Sequence, residues 1–156
     1  MTFFERQVGR KCGLHALRNL LRTSDITEHE LSDASSWCAE QTKDALEHHE
    51  RVGGDWSVEA LKKVLHDRGY ACKRAVSVRQ HGVRWDIPIM EECMDDDRVE
   101  GFIIQANDHY ACLRKQDNEW QFCDSLQAGP ETITTRQFCT AVLYEKCNAF
   151  LVYKPI

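Results

Sequence analysis

A cysteine stands where an amphipathic helical pattern begins, near the start of the chain. Cys12 lies in the stretch GRKCGLHALRNLL, and the residues from Gly13 to Arg22 are predicted to form a helix with an apolar face of Leu14, Leu17, Leu20 and Leu21. A thiol is a good nucleophile only as a thiolate. The unpaired N–H groups at a helix start favour negative charge, so this position indicates a nucleophilic cysteine, provided that a base can reach it.

A histidine and an acid flank a predicted β-hairpin later in the chain. Residues 109–114 and 120–124 are short runs of strand-forming residues, joined by the polar segment 116–119. If the two runs pair, His109 and Asp124 are close to cross-strand partners. A carboxylate that fixes the tautomer of an imidazole would complete the base that a thiol nucleophile needs. Asp124 could instead serve only to cap the following turn.

Two further residues near Cys12 fit acyl transfer, which needs hydrogen-bond donors for a developing oxyanion. Gln7 precedes Cys12 by five residues, and its amide could act together with the backbone N–H of Cys12. Gly13 would leave room for a substrate to approach the sulfur. The pattern Q-x-x-x-x-C-G before an apolar helix is typical of a papain-like cysteine protease.

The elements that must position these residues run from helices to strands. Thr27 and Glu30 form the ends of a capping-box motif. The helix that they open is predicted to have Leu31, Ala34, Trp37 and Cys38 as its apolar stripe. It belongs to a polar helical arm at about 28–52, whose later part is either a solvent-exposed helix or a frayed extension. Ser57 is predicted to cap a third helix, which Gly69 ends, with Val58, Leu61, Val64 and Leu65 on its buried face.

The later part of the chain is predicted to be mainly antiparallel strand. A loop is expected at 77–87 and short helices at 89–97 and from Thr134 or Thr135 to about Cys147. The expected strands are 70–76, 101–106, 109–114, 120–124 and 149–154. This order favours an α+β fold with a helical layer packed on a meander.

Length and composition restrict the class of protein. A chain of 156 residues predicts one domain over 1–156. The net charge of −5 disfavours a nucleic-acid binder. We find no apolar run of membrane-spanning length and no signal peptide, so we expect a cytoplasmic protein. The sequence does not indicate an oligomeric state.

The eight cysteines do not have the spacing of a metal site or a redox motif. No C-x-x-C pair occurs, and no histidine lies at zinc-finger spacing from two cysteines. Apart from Cys12, they lie mostly in apolar patterns and are expected to be buried thiols. We therefore expect no metal and no cofactor.

Five stretches of the chain together resemble the Josephin family of deubiquitinases, in the family's order and over nearly the whole chain. They are QVGRKCGLHALRNLL, DWSVEALKKVLHDRGY, GFIIQ, DHYACLR and WQFCDSL. The resemblance implies a papain-like cysteine protease fold, with a helical subdomain packed on an antiparallel sheet. It also implies that no cofactor is used and that the partner is ubiquitin or polyubiquitin.

By motif, the resemblance implies that Cys12 is the nucleophile, His109 the general base, Asp124 its orienting residue and Gln7 the oxyanion donor. The implied substrate is ubiquitin joined through its C-terminal glycine to another chain. The candidate substrate-binding residues are Trp56, Val58, Gly13 and Asp108. The motifs leave three functions open: a deubiquitinase, a protease for a ubiquitin-like or other Gly-Gly-ended tail, and a ubiquitin-binding module with little activity.

Overall fold

The structure is a computed structural model that describes residues 3–7, 9, 11–43, 45–51, 55–75, 92–106, 108–138 and 147–156. These residues form three α-helices, α1 (Cys12–Leu21), α2 (Glu28–Thr42) and α3 (Val58–Asp67), and a short 3-10 helix (Leu46–His48). They also form eight strands: β1 (Glu50–Arg51), β2 (Asp55–Trp56), β3 (Ala71–Ala75), β4 (Val99–Ala106), β5 (His109–Gln116), β6 (Glu119–Cys123), β7 (Glu131–Ile133) and β8 (Asn148–Tyr153).

The six strands β3 to β8 form one antiparallel sheet, in the order β3-β8-β4-β5-β6-β7. The α+β prediction is confirmed, although the sequence analysis missed the edge strand β7. α1 packs against β4 and β5. Because strand side chains alternate between faces, one face of the sheet meets the helices through Ile103 and Cys112, and the other buries Phe102 and Leu113 in a second apolar cluster.

The β5–β6 hairpin closes through a two-residue turn. Asp117 and Asn118 have φ of 51° and 65°, the left-handed conformation that a type I′ turn requires at both central positions. The turn fixes the register, which pairs Cys112 with Cys123. Extending this register places Ala111 opposite Asp124. His109 and Asp124 are therefore diagonal neighbours on the sheet, two residues away from direct pairing.

The polar arm is shorter than predicted. The expected capping box is present, because the Thr27 side chain accepts from the Glu30 N–H and Glu30 accepts from the Thr27 N–H. α2 ends at Thr42, where Lys43 takes a left-handed conformation. The 3-10 helix and the β1–β2 pair then lead into α3, which the Ser57 hydroxyl caps as predicted.

The prediction that Trp37 lies on the buried stripe of α2 was wrong. Residues of an α-helix advance by about 100° each, so the neighbours of Leu31 on one face are Ala34, Ser35 and Cys38, all of which are buried. Trp37 points away from this face and is 45% exposed, with the ammonium of Lys63 4.4 Å from its ring centroid.

Some predicted elements extend beyond the described residues. The loop at 77–87 lies outside them. The helix predicted at 89–97 is described from residue 92 onward, where residues 92–95 form a helical turn. Thr134 and Gln137 cap each other at the start of the last predicted helix, which is described as far as residue 138. No helix in the described part of the chain is both long and apolar enough to cross a bilayer.

A glycine permits the close approach of β4 to β5. Gly101 has a φ of 153°, and a Cβ added there would lie 2.0 Å from the carbonyl oxygen of Leu113. We expect Gly101→Ala to lower the free energy of unfolding by about 3 kcal/mol or more, from strain and overlap with backbone.

Gly129→Ala is the matched control for this prediction, because a Cβ at Gly129 would meet no atom within 4 Å. Chemical denaturation of both variants measures the difference. Equal stability of the two variants would show that the approach of Gly101 to Leu113 does not limit the packing of the sheet.

Candidate active site

Cys12 is the first residue of α1 and is buried. Lys11 occupies the N-cap position without any side-chain cap bond, and the first turn of the helix contains no acidic residue. The N–H groups of this turn are therefore not neutralised by a cap or a carboxylate. Their partial positive charge is available to a thiolate or an oxyanion at the helix start.

β5 begins beside this sulfur. The backbone N–H of Tyr110 donates to Cys12 Sγ at 3.4 Å, between residues 98 positions apart in the chain. The contact places His109, the preceding residue of the strand, next to the helix start.

His109 and Asp124 form a hydrogen-bonded pair, with Nε2 of the imidazole 2.8 Å from Oδ1 of the carboxylate. The pKa of His109 is raised to about 9, chiefly by a hydrogen bond to Cys12 and further by Asp124, against the lowering effect of burial. Because Nε2 faces the acid, Nδ1 is the nitrogen left for the thiol. The arrangement favours the imidazolium form of His109 beside Cys12 at neutral pH.

Asp124 also holds the turn that follows β6. Its Oδ1 accepts from the N–H of Leu126 at 3.0 Å, and its backbone carbonyl accepts from Gln127 at 2.9 Å. The two interpretations of Asp124 left open by the sequence are thus compatible. The Asp124 carboxylate both contacts the His109 imidazole and caps the turn. The hydrogen bond within the turn also fixes the orientation of this carboxylate.

Gln7 lies beside this turn and is half-buried. Its backbone N–H donates to the Ser125 carbonyl at 2.8 Å, and its side-chain oxygen accepts from the Ser125 hydroxyl at 3.0 Å. The side-chain nitrogen donates to the Gly9 carbonyl at 2.7 Å. The structure therefore ties Gln7 to the residue that follows Asp124.

Buried polar groups of α1 and β5 hold the segment that carries Gln7. Asn19, fully buried, accepts from the Glu5 N–H at 2.6 Å and donates to the Glu5 carbonyl at 3.1 Å. The Glu5 carboxylate meets His15 at 2.5 Å and Arg18 at 2.7 Å. Arg114, also fully buried, donates to the carbonyls of Phe3 and Asn19. The position of Gln7 thus depends on the same helix that positions Cys12.

Three of the four candidate substrate-binding residues line one cleft of about 250 Å³. Trp56 is buried there, and its Nε1 makes no hydrogen bond within the described residues. Val58 is half-buried, and Asp108 is exposed with a left-handed φ of 61°. Tyr110, whose N–H meets the Cys12 sulfur, also lines the cleft, so the cleft adjoins the candidate nucleophile.

Gly13 is packed against protein. A Cβ at this position would lie 3.2 Å from Leu61 Cδ1 and 3.5 Å from Tyr110 Cδ2. The glycine thus lets α1 approach α3 and β5 closely. The sequence analysis suggested that a glycine at this position leaves room for a substrate. The structure gives a different reason for the glycine, because a larger side chain would press on Leu61 and Tyr110.

The other described cysteines differ from Cys12 in their surroundings. Burial raises the pKa of Cys72 to about 11, and it also raises the pKa of Cys38 and Cys93. Cys112 and Cys123 are fully buried cross-strand neighbours that hydrogen-bond to each other. Among the residues described, no group of three or more His, Cys, Asp or Glu side chains could hold a metal ion.

Sequence reasoning missed two residues that contact the site. Tyr110 contributes a backbone N–H to the sulfur and a ring to the cleft, but backbone donors leave no sequence signal. Ser125 binds Gln7 through both its backbone and its side chain. Its position directly after the candidate acid was the available signal, and it suggested only a turn.

The arrangement resembles that of one class of protein, the thiol hydrolases with a Cys-His-Asp site. Comparison with known families narrows this class: the Josephin family profile matches residues 7–152. The chain belongs to the Josephin family, whose members are cysteine deubiquitinases related to ataxin-3.

Curated relatives agree with this assignment. The chain is 24% identical over 143 residues to a protein named ataxin-3 homolog of Arabidopsis thaliana, which covers 86% of the chain and 51% of the relative. It is 25% identical over 138 residues to an ataxin-3 homolog of Caenorhabditis briggsae, which covers 85% of the chain and 41% of the relative. The chain thus spans about half the length of the curated relatives it matches or less.

The raised pKa of His109 generates a test that needs no substrate. We expect the imidazole to titrate near pH 9, and Cys12→Ala to lower its pKa more than Asp124→Asn does, because the hydrogen bond to Cys12 is the largest raising cause. Histidine ring resonances followed by NMR measure the pKa, and His109→Gln identifies the signal. An imidazole that titrates at its ordinary value in the parent protein would contradict the pairing.

Proposed function

We propose that the chain is a deubiquitinase, a thiol hydrolase that cleaves the peptide or isopeptide bond after the C-terminal glycine of ubiquitin. The observation that carries the proposal is the meeting of Cys12, at an uncapped helix start, with the hydrogen-bonded pair of His109 and Asp124. Membership of the Josephin family supports ubiquitin as the substrate.

In the proposed reaction, the Cys12 thiolate attacks the carbonyl carbon of the ubiquitin C-terminal glycine. The carbonyl oxygen becomes an anion, which the backbone N–H of Cys12 and the side-chain amide of Gln7 stabilise. The His109 imidazolium then protonates the leaving amine, and a thioester remains on the sulfur. Neutral His109 next takes a proton from water, whose attack on the thioester releases ubiquitin and restores the thiolate–imidazolium pair.

The cleft next to Cys12 is a suitable path for the ubiquitin tail. Its acidic residues are Glu47, Asp55, Glu59 and Asp108, against the basic residues Arg51 and His48. The ubiquitin tail is basic, so the charge of the cleft complements it.

A second acidic run, at residues 95–97, is in a different place. Its member Asp95 lines a pocket with Asn118, at the turn end of β5, whereas His109 lies at the other end of that strand. Eight residues of strand separate the two ends by roughly 25 Å.

Two other functions use the same residues. A protease for a ubiquitin-like or other Gly-Gly-ended tail would need the same chemistry, and the site geometry does not distinguish the tails. A ubiquitin-binding module would need none of it. The raised pKa of His109 disfavours the binding module, since a silent site has no need of an imidazolium beside a thiol.

Ubiquitin with an electrophile at its C-terminus tests the proposal directly. We expect covalent labelling of the parent protein and none of Cys12→Ala. Cys72→Ala is the matched control, because burial raises the pKa of that thiol to about 11, and it should label like the parent. Labelling only by another modifier would favour the second function, and no labelling with retained ubiquitin binding would favour the third.

A second prediction concerns Gln7. We expect Gln7→Ala to lower kcat by about 10²–10³ with little change in KM, because its amide matters mainly once the oxyanion forms. Steady-state hydrolysis of a ubiquitin with a fluorogenic C-terminal amide measures both constants. A variant that raises KM and keeps kcat would place Gln7 in substrate binding and not in the oxyanion hole.

The third prediction separates the two contacts of Asp124. Asp124→Asn keeps an acceptor for His109 and should retain a substantial part of kcat, whereas Asp124→Ala should lose far more. The loss on asparagine substitution should be smaller than in a serine triad, because an ionised thiol does not need deprotonation at the moment of attack.

Asp96→Ala is the control for the turn contact of Asp124. The Asp96 carboxylate also accepts from the N–H two residues later, at 2.9 Å from Arg98. Thermal melts accompany the rates of all three variants. If Asp124→Ala folds and turns over like Asp96→Ala, then Asp124 is only a turn residue.

A further inference from the structure

Ser125 is a buried residue whose carbonyl and hydroxyl both bond to Gln7. It is 3% exposed, and its carbonyl accepts from the Gln7 backbone N–H at 2.8 Å. Its hydroxyl donates to the Gln7 side-chain oxygen at 3.0 Å. The Ser125 side chain is thus buried and hydrogen-bonded to the side chain of Gln7.

The contacts of the Gln7 amide fix which way it faces. The Gly9 carbonyl can only accept, so the amide nitrogen must lie on the Gly9 side, where Nε2 donates at 2.7 Å. The amide oxygen then faces Ser125, whose hydroxyl supplies the donor that this oxygen needs. Within the described residues Nε2 makes only the bond to Gly9, so its second hydrogen is left for a substrate oxygen.

Ser125 is itself held by the turn that begins at Asp124. The Leu126 N–H donates to the Asp124 carboxylate and the Gln127 N–H to the Asp124 carbonyl. The same carboxylate contacts His109 at 2.8 Å. The turn of residues 124–127 therefore supports the oxyanion donor on one side and the base on the other.

We propose that Ser125 is a positioning residue, which orients the Gln7 amide so that its nitrogen faces the oxyanion. The inference rests on the proposed function, since it requires Gln7 to stabilise an oxyanion during acyl transfer. Ser125 acts through Gln7 and does not touch the reacting atoms. Without its hydroxyl the amide oxygen loses its donor, and the Gly9 carbonyl alone then holds the amide, so its nitrogen is less firmly oriented.

The test is the hydrolysis of ubiquitin bearing a fluorogenic C-terminal amide, by Ser125→Ala, Gln7→Ala and the double variant. We expect Ser125→Ala to lower kcat by about fivefold, the equivalent of one hydrogen bond, with KM unchanged. The double variant should equal Gln7→Ala, because Ser125 has nothing to orient once the amide is gone. Ser36→Ala, at an exposed position of α2, is the matched control and should equal the parent.

A second measurement distinguishes an effect of Ser125 through Gln7 from an effect through His109. Alkylation of Cys12 by iodoacetamide displaces iodide from a saturated carbon and forms no oxyanion. Its rate should therefore be the same in Ser125→Ala and the parent. A fall in this rate that matches the fall in kcat would mean that Ser125 acts through Asp124 and His109, and would overturn the inference.

The remaining outcomes distinguish this inference from the proposed function. If Gln7→Ala lowers kcat but Ser125→Ala equals Ser36→Ala, the inference alone fails. Losses that multiply in the double variant also overturn it, because the two residues would then act independently. If the parent hydrolyses no ubiquitin substrate, or if Gln7→Ala leaves kcat unchanged, the proposed function or the role of Gln7 fails, and the inference fails with it.

Discussion

The site depends on one contact between elements that are distant in sequence, the start of α1 against the start of β5. The Tyr110 N–H meets the Cys12 sulfur at 3.4 Å, and this contact brings the imidazole of the preceding residue to the helix start. Gly13 makes the approach possible because it has no Cβ to press on Leu61 and Tyr110. The apolar face of α1 holds the approach in place, with Leu14, Leu17 and Leu20 almost fully buried.

Polar groups at the other end of α1 extend the same constraint to the N-terminal segment. Asn19 bonds the backbone of Glu5 on both sides, and Arg114 of β5 bonds carbonyls of the segment and of the helix. Such groups are costly to bury without partners. If the segment moved away, Asn19 and Arg114 would stay buried and lose their hydrogen bonds to it. One helix thereby fixes the candidate nucleophile Cys12 directly and Gln7 indirectly.

Much of this arrangement could be predicted from the sequence, because its signals are local. The helical spacing of leucines predicted α1, the Thr27 capping box predicted the start of α2, and the polar segment 116–119 predicted the hairpin connection. The offset between His109 and Asp124 could not be predicted, since the register depends on which two residues form the turn. Trp37 was misplaced because its spacing of three residues from Ala34 fits an apolar stripe, although it lies about 120° around the helix from Leu31. The contact of Tyr110 with Cys12 arises through a backbone N–H, which the side-chain pattern does not encode. The contact of Ser125 with Gln7 joins residues 118 positions apart, so no local spacing reports it.

The long separation of the site residues has a consequence for synthesis on the ribosome. Cys12 and Tyr110 are 98 positions apart, so at about 5–20 residues per second Cys12 is made about 5–20 s before the start of β5. During this interval the helix start has neither the imidazole of His109 nor the carboxylate of Asp124 beside it. A nascent chain therefore carries Cys12 without the contacts of β5 and β6, and the candidate site is assembled only when the central strands of the sheet have paired. In this architecture the site is the product of the finished sheet and of no shorter part of the chain.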